Sequence, residues 1–269
     1  MGRLENRVAV VTGGGQGVGR GVARAFAAAG AAVVIANRTE ATGRAVVEEI
    51  DAEFGPLADG RARALHVRTD VSQQRSVRVM IETATRELGR IDILVNNATP
   101  TGGMARLEKM TNEAMEQHVR VNYYGAFWAM QSVFGQMKER GWGRIINMCS
   151  LNGVNAHRYT TMYNGSKEAL RALTRTTAVE WARHGITCNV ICPAAVTAPW
   201  EAFVKYDPQG AQRILDANPM GRLGNCEADN GPVAVFLASD ESRYLTGNTI
   251  HVDGGGHVNG VPWQFDLPE

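Results

Sequence analysis

Tyr163 and Lys167 stand four residues apart in the stretch Y-N-G-S-K, and Ser150 lies thirteen residues before the tyrosine. A tyrosine hydroxyl with its ordinary pKa of about 10 is roughly 0.1% ionised at neutral pH. A cation within about 4–6 Å favours the phenolate and lowers that pKa by about 1–3 units. Positions i and i+4 share a helix face, so Lys167 reaches Tyr163 or a group bound beside it. Ser150 ends a strand-like run, where its hydroxyl can bond a substrate oxygen. Together the three can exchange a proton with an oxygen while hydride moves at the attached carbon. A lone Tyr-x-x-x-Lys pair arises by chance on many helices, so its weight depends on the rest of the chain.

A glycine-rich turn, T-G-G-G-Q-G-V-G from Thr12 to Gly19, follows the apolar run Val8 to Val11 and opens a helical pattern. Backbone N–H groups in such a turn can approach a pyrophosphate, whose charge suits a helix N-terminus. Gly13, Gly15, Gly17 and Gly19 fit that role, with Gln16 and Val18 between them. Glycine turns also occur for structural reasons; the strand before and helix after favour the nucleotide reading. The second strand ends Ile35-Ala36-Asn37-Arg38-Thr39, with no acidic residue where a carboxylate usually holds the adenosine ribose. Arg38 can instead charge-pair a 2′-phosphate. The expectation is NADP(H). NAD(H) is the alternative, with Arg38 solvated or stacked on adenine.

Seven strand-like segments position these groups: Val8–Thr12, Ala32–Ala36, Ala64–Thr69, Ile91–Val95, Arg144–Met148, Thr187–Ile191 and Thr249–Val252. Most are continuous apolar runs, as in strands covered on both faces. Helical patterns cover Gly17–Ala29, Ser72–Leu88 with Ser72 as N-cap, Thr111 to about Lys138, and Tyr163–His184. This alternation predicts one α/β domain over residues 1–269, a Rossmann-type doubly wound parallel sheet of seven strands with helices on both faces. Residues 197–218 interrupt the alternation near the carboxyl ends of the strands and read as a substrate lid. Residues 257–269 form a tail with Trp263 and Phe265.

The bulk properties narrow the class. With 28 basic and 27 acidic residues the net charge is +1, and no basic stripe points to nucleic acid or a membrane surface. The longest apolar runs are strand-sized, and the N-terminus lacks a signal-peptide core. A cytoplasmic protein is expected. The four cysteines form no C-x-x-C pair and no zinc-like cluster, so no metal site is expected. Cys188 and Cys192 read as core residues; Cys149, beside Ser150, reads as near the site and open to oxidation.

The chain resembles the short-chain dehydrogenase/reductase family over nearly its whole length. The matching residues are Thr12-Gly13-x-x-x-Gly17-x-Gly19, Asp70, Asn96-Asn97-Ala98, Asn122, Ser150, Tyr163-x-x-x-Lys167, Pro193 with Thr197, Pro219-Met220-Gly221-Arg222, and Leu245-Thr246-Gly247 with Val252-Asp253-Gly254-Gly255. The resemblance implies that Tyr163 is the general acid in reduction and the base in oxidation, and that Ser150 orients the reacting oxygen. It implies that Lys167 binds the nicotinamide ribose and lowers the tyrosine pKa, and that Asn122 holds a water in a relay to Lys167. Asp70 and Val71 would face the adenine, Asn97 and Ala98 the adenosine side, and Pro193, Val196 and Thr197 the nicotinamide. It also implies a homotetramer built through the long helices and the last strand.

Three positions depart from the family pattern. Thr99 stands where Asn-Asn-Ala is usually followed by glycine, Ala194 replaces the glycine after Pro193, and Gln16 stands where NADP-preferring members often carry a basic residue. Substrate contacts would come from residues 99–104, 151–162 and 198–215. Trp200, Phe203 and Tyr206 suggest a bulky or cyclic substrate if they do not simply pack the lid. His157 and Arg158 read first as a solvated loop, with recognition of a polar or acidic substrate arm as the alternative, and His66, His118, His184, His251 and His257 receive no role. The leading function is a ketone–alcohol oxidoreductase. Alternatives are reduction of a 3-oxoacyl thioester or an imine on the same fold, and a non-catalytic NADP(H)-binding sensor or scaffold.

Overall fold

The computed structural model describes residues 2–258. Its seven strands are β1 (Val8–Thr12), β2 (Ala32–Asn37), β3 (Ala64–Arg68), β4 (Ile93–Asn96), β5 (Gly143–Met148), β6 (Ile186–Pro193) and β7 (Thr249–Val252). They form one sheet in the order β3-β2-β1-β4-β5-β6-β7, with every pairing parallel. The strand order reverses direction at β1 and β4, where ligands bind in doubly wound sheets.

The apolar strands bury both faces. In β1, Ala9 and Val11 pack into a core with Val22 and Phe26 of helix α1 (Gly17–Ala28) and Val46 and Ile50 of α2 (Glu40–Phe54). Val8 and Val10 point the other way, into a core with Val77 and Met80 of α3 (Gln74–Leu88). The period-two alternation of side chains therefore feeds two cores from one strand.

The one or two helices expected from Thr111 to about Lys138 are α4 (Asn112–Val119) and α5 (Gly125–Arg140), joined by a π-turn over Arg120–Tyr124. Thr111 caps α4 by accepting from the Ala114 N–H at 3.2 Å. Gly125 lies so close to β3's exit that a Cβ there would sit 2.8 Å from the Val71 carbonyl oxygen. The short α6 (Leu151–Val154) precedes α7 (Thr161–Trp181). The proposed lid segment is two helices, α8 (Ala198–Tyr206) and α9 (Pro208–Ala217). Helix α10 (Asn230–Ala238) closes the α1 face.

The expected cap at Ser72 is corrected. Ser72 does not cap α3: its hydroxyl and N–H both bond Asp70 Oδ1, at 2.7 and 3.0 Å, and Gln73 takes the cap position. An Asx-type turn at Asp70 thus outcompetes the cap. Helices α2 and α10 had not been singled out; α10, N-G-P-V-A-V-F-L-A, is apolar nearly all round and carries no amphipathic period.

Candidate active site

The end of β1 is tied to the end of β4 by Thr12 and Asn97. Thr12 Oγ1 accepts from the Asn97 and Ala98 N–H groups at 2.9 and 3.2 Å. Asn97 Nδ2 donates to the Thr12 carbonyl at 2.9 Å. The chain then turns at Gly13, with φ +66°. A Cβ on Gly15 would lie 2.6 Å from Asn37 Nδ2, and one on Gly19 2.4 Å from the Gly13 carbonyl oxygen. These glycines are fixed by close approach. Helix α1 begins at Gly17 with no side-chain cap on its N-terminus and no acidic residue in its first turn. Its first N–H groups are left for an anion, which fits a dinucleotide's pyrophosphate.

A cavity of about 640 Å³ runs from this turn across the carboxyl ends of the strands. Gly13, Gly15, Gln16, Gly17 and Val18 line one end, with Asn37, Arg38 and Thr39 from the end of β2. Asp70, Val71, Asn97 and Ala98 form the next stretch of wall. Ser150, Tyr163, Lys167, Pro193 and Thr197 meet at the far side. Three expected residues lie outside it. Gly19 packs beneath the turn, Asn122 sits behind α7, and Val196 is 42% exposed and held by its backbone to Gly224. The Val196 N–H donates to the Gly224 carbonyl at 2.9 Å.

Lys167 is buried, and its Nζ donates to the Met148 carbonyl at 2.8 Å, 5.6 Å from the Tyr163 ring centre. Burial pushes Lys167 down to about 8 and Tyr163 up to about 12. A hydrogen bond with Ser150 pulls the tyrosine the other way. Removing both groups from water favours their neutral forms, so burial opposes the lowering of the tyrosine pKa expected from Lys167. Asn122 lies on the π-turn, buried, and its Nδ2 donates to Ser166 Oγ at 2.9 Å. Ser166 Oγ in turn donates to the Tyr163 carbonyl at 3.0 Å. The Oδ1 of Asn122 has no protein partner.

Other expectations are changed. Cys149 borders the cavity, but its thiol is buried, donates to the Lys167 carbonyl at 3.3 Å and is pushed up to about 12. A thiol so far from its thiolate is a poor target for oxidation. His157 and Arg158 do not form a purely solvated loop: both line the cavity, and burial pushes His157 down to about 4. Trp200 and Phe203 line it too, with ring centres 5.8 Å apart, whereas Tyr206 is 76% exposed and points away. Thr99 keeps negative φ; the loop makes its left-handed turns at Gly102 and Gly103, with φ +82° and +86°. His118, given no role from the sequence, is buried in the cavity wall beside Tyr163. Its placement one helical turn before Asn122 was the available signal.

The family model described as Enoyl-(Acyl carrier protein) reductase matches residues 13–257. The chain belongs to the short-chain dehydrogenase/reductase family. It is 32% identical to 12alpha-hydroxysteroid dehydrogenase of Clostridium sp. over 261 residues, 95% of this chain and 98% of that protein. It is 33% identical to L-rhamnose-1-dehydrogenase of Scheffersomyces stipitis over 259 residues, 96% and 98% of the two chains. A crystal structure of a gluconate 5-dehydrogenase from Burkholderia cenocepacia in complex with NADP and tartrate superposes with TM-score 0.84 at 35% identity, covering 94% of this chain and 96% of that one. As a member of this family the protein is an oxidoreductase acting on CH–OH groups with NAD(P). Among the described residues no helix is long and apolar enough to cross a membrane.

Proposed function

We propose that this chain is an NADP(H)-dependent oxidoreductase that interconverts a ketone and a secondary alcohol. The observation that carries the reading is the meeting of Ser150, Tyr163 and Lys167 on one wall of the cavity that begins at the glycine turn. The cofactor's nicotinamide, when bound, supplies or accepts the hydride. Ser150 and Tyr163 share the reacting oxygen by hydrogen bonds. Tyr163, kept protonated by burial, donates its proton to that oxygen in reduction and recovers it in oxidation. Lys167 holds the cofactor's ribose and supplies the positive charge that makes the phenolate accessible. Asn122 acts from behind, through Ser166 and a water on its free carbonyl oxygen, to connect Lys167 to solvent.

NADP(H) is favoured by Arg38. It borders the cavity at the end of β2, and among the described residues no carboxylate pairs with it. The gluconate 5-dehydrogenase neighbour is described with NADP. Arg38→Ala raises KM for NADPH about tenfold or more, the worth of a charge-assisted hydrogen bond. It leaves KM for NADH nearly unchanged. Equal changes for both cofactors contradict the assignment.

The substrate end combines apolar Met104, Met162, Trp200 and Phe203 with polar Asn152 and Arg158. That mixture favours a bulky or cyclic ketone bearing polar substituents. Helices α8 and α9 act as its lid, on a single domain. We read the protein as a cytoplasmic homotetramer; the tail's Trp263 and Phe265 lie outside the described residues. A paired NADPH/NADH and NADP⁺/NAD⁺ assay against steroid, sugar and simple cyclic ketones and alcohols tests the function. Cofactor binding without turnover of any of them refutes it.

A further inference from the structure

We propose that His118 is a positioning residue that ties the substrate loop, residues 99–106, to the wall holding Tyr163. The inference rests on the oxidoreductase reading and adds a specificity device to that site. His118 is 3% exposed, at the last turn of α4. Its ring meets the Tyr163 ring edge to face, with centres 6.1 Å apart and planes at 88°. The ring faces the Gly102–Gly103 turn, within reach of the Gly102 backbone. Nε2 faces that loop: a Cβ on Gly103 would sit 3.8 Å from it and 3.1 Å from Met162 Cε. Nδ1 has no protein partner.

Burial lowers the His118 pKa and the nearby Lys167 charge lowers it further, so the ring is neutral and carries one proton. The tether puts that proton on Nε2, the edge facing the loop, with the Gly102 carbonyl as its acceptor. Gly102 and Gly103 both have positive φ, so this stretch has no regular structure to hold it. The Ala105 N–H donates to the Tyr159 carbonyl at 3.0 Å, tying the far end of the stretch. One imidazole thus touches the proton donor with its face and the loop with its edge. It sets the gap in which a ketone's substituents must fit.

Two variants separate a tether from ordinary core packing. His118→Leu fills the space without a donor. His118→Gln places an amide N–H about where Nε2 stands. Amide hydrogen exchange across residues 99–106 provides a readout independent of turnover, measured on the full chain with NADP⁺ bound. The expected result is several-fold faster exchange of that segment in His118→Leu and near wild-type exchange in His118→Gln, with unchanged cofactor affinity. For a ketone the wild type reduces, His118→Leu raises KM about tenfold, the worth of one buried hydrogen bond, with a smaller change in kcat. His118→Gln recovers most of it. Unchanged exchange in His118→Leu overturns the proposal, as does equal loss in both variants. If the wild type reduces no ketone, the oxidoreductase reading fails while the exchange data still decide the tether.

Discussion

The two ends of the cavity are held in different ways. At the nucleotide end, Thr12 and Asn97 cross-tie two strands, and glycines stand wherever a Cβ would strike neighbouring atoms. Behind it runs a buried polar ladder. Asn96 Nδ2 donates to Asn147 Oδ1 at 2.8 Å, and Asn147 Nδ2 donates to Thr174 Oγ1 at 2.8 Å, joining β4, β5 and α7. At the substrate end the walls are loops and two short helices. Ala156 and Tyr159 adopt positive φ at 50° and 68°, and α8 buries no residue fully. The difference shows how one framework fixes proton and hydride chemistry while leaving the choice of substrate to parts with few mutual constraints.

Changes at the rigid end should therefore cost the most. Tyr163→Phe lowers kcat about 100- to 10,000-fold, the usual contribution of general acid–base catalysis, while cofactor fluorescence titration stays near wild type. Retained turnover would remove the proton role. Asn147→Leu leaves the Asn96 amide without its buried acceptor, while Thr174 keeps its bond to the Leu170 carbonyl, and lowers stability by about 1–3 kcal/mol, read by urea unfolding. A loss of that size without a change in KM would confirm that the ladder supports the site only as scaffold. Trp200→Ala removes a half-buried ring that lines the cavity against Phe203. It should alter the ranking of bulky over small ketones by several-fold. An equal effect on every ketone would erase the contrast between the two ends.

This contrast also explains what the sequence made legible. The strands were readable because burial on both faces writes continuous apolar runs, as in V-A-V-V-T. The glycine turn was readable because steric exclusion permits few residue types there. Tyr163 and Lys167 were readable because helix spacing places them together whatever the loops do. His118 was not, since its role depends on a loop that meets it from sixteen residues earlier in the chain, at Gly102. The pKa values of Tyr163 and Lys167 were not legible either, because they follow from burial rather than from spacing.

The central claim is that Tyr163 gives its proton in one direction and takes it back in the other. Its pKa is raised by burial, so the protonated form needed for reduction prevails across neutral pH, and the deprotonated form needed for oxidation grows with pH. Lys167, lowered to about 8, carries its charge below that pH and loses it above. The direct measurement is kcat/KM against pH in both directions with one ketone–alcohol pair. Oxidation should rise with pH and flatten above about 8 as Lys167 loses its charge, while reduction stays nearly flat over the same range. Identical pH profiles in the two directions would contradict the assignment of Tyr163 as the shared acid and base.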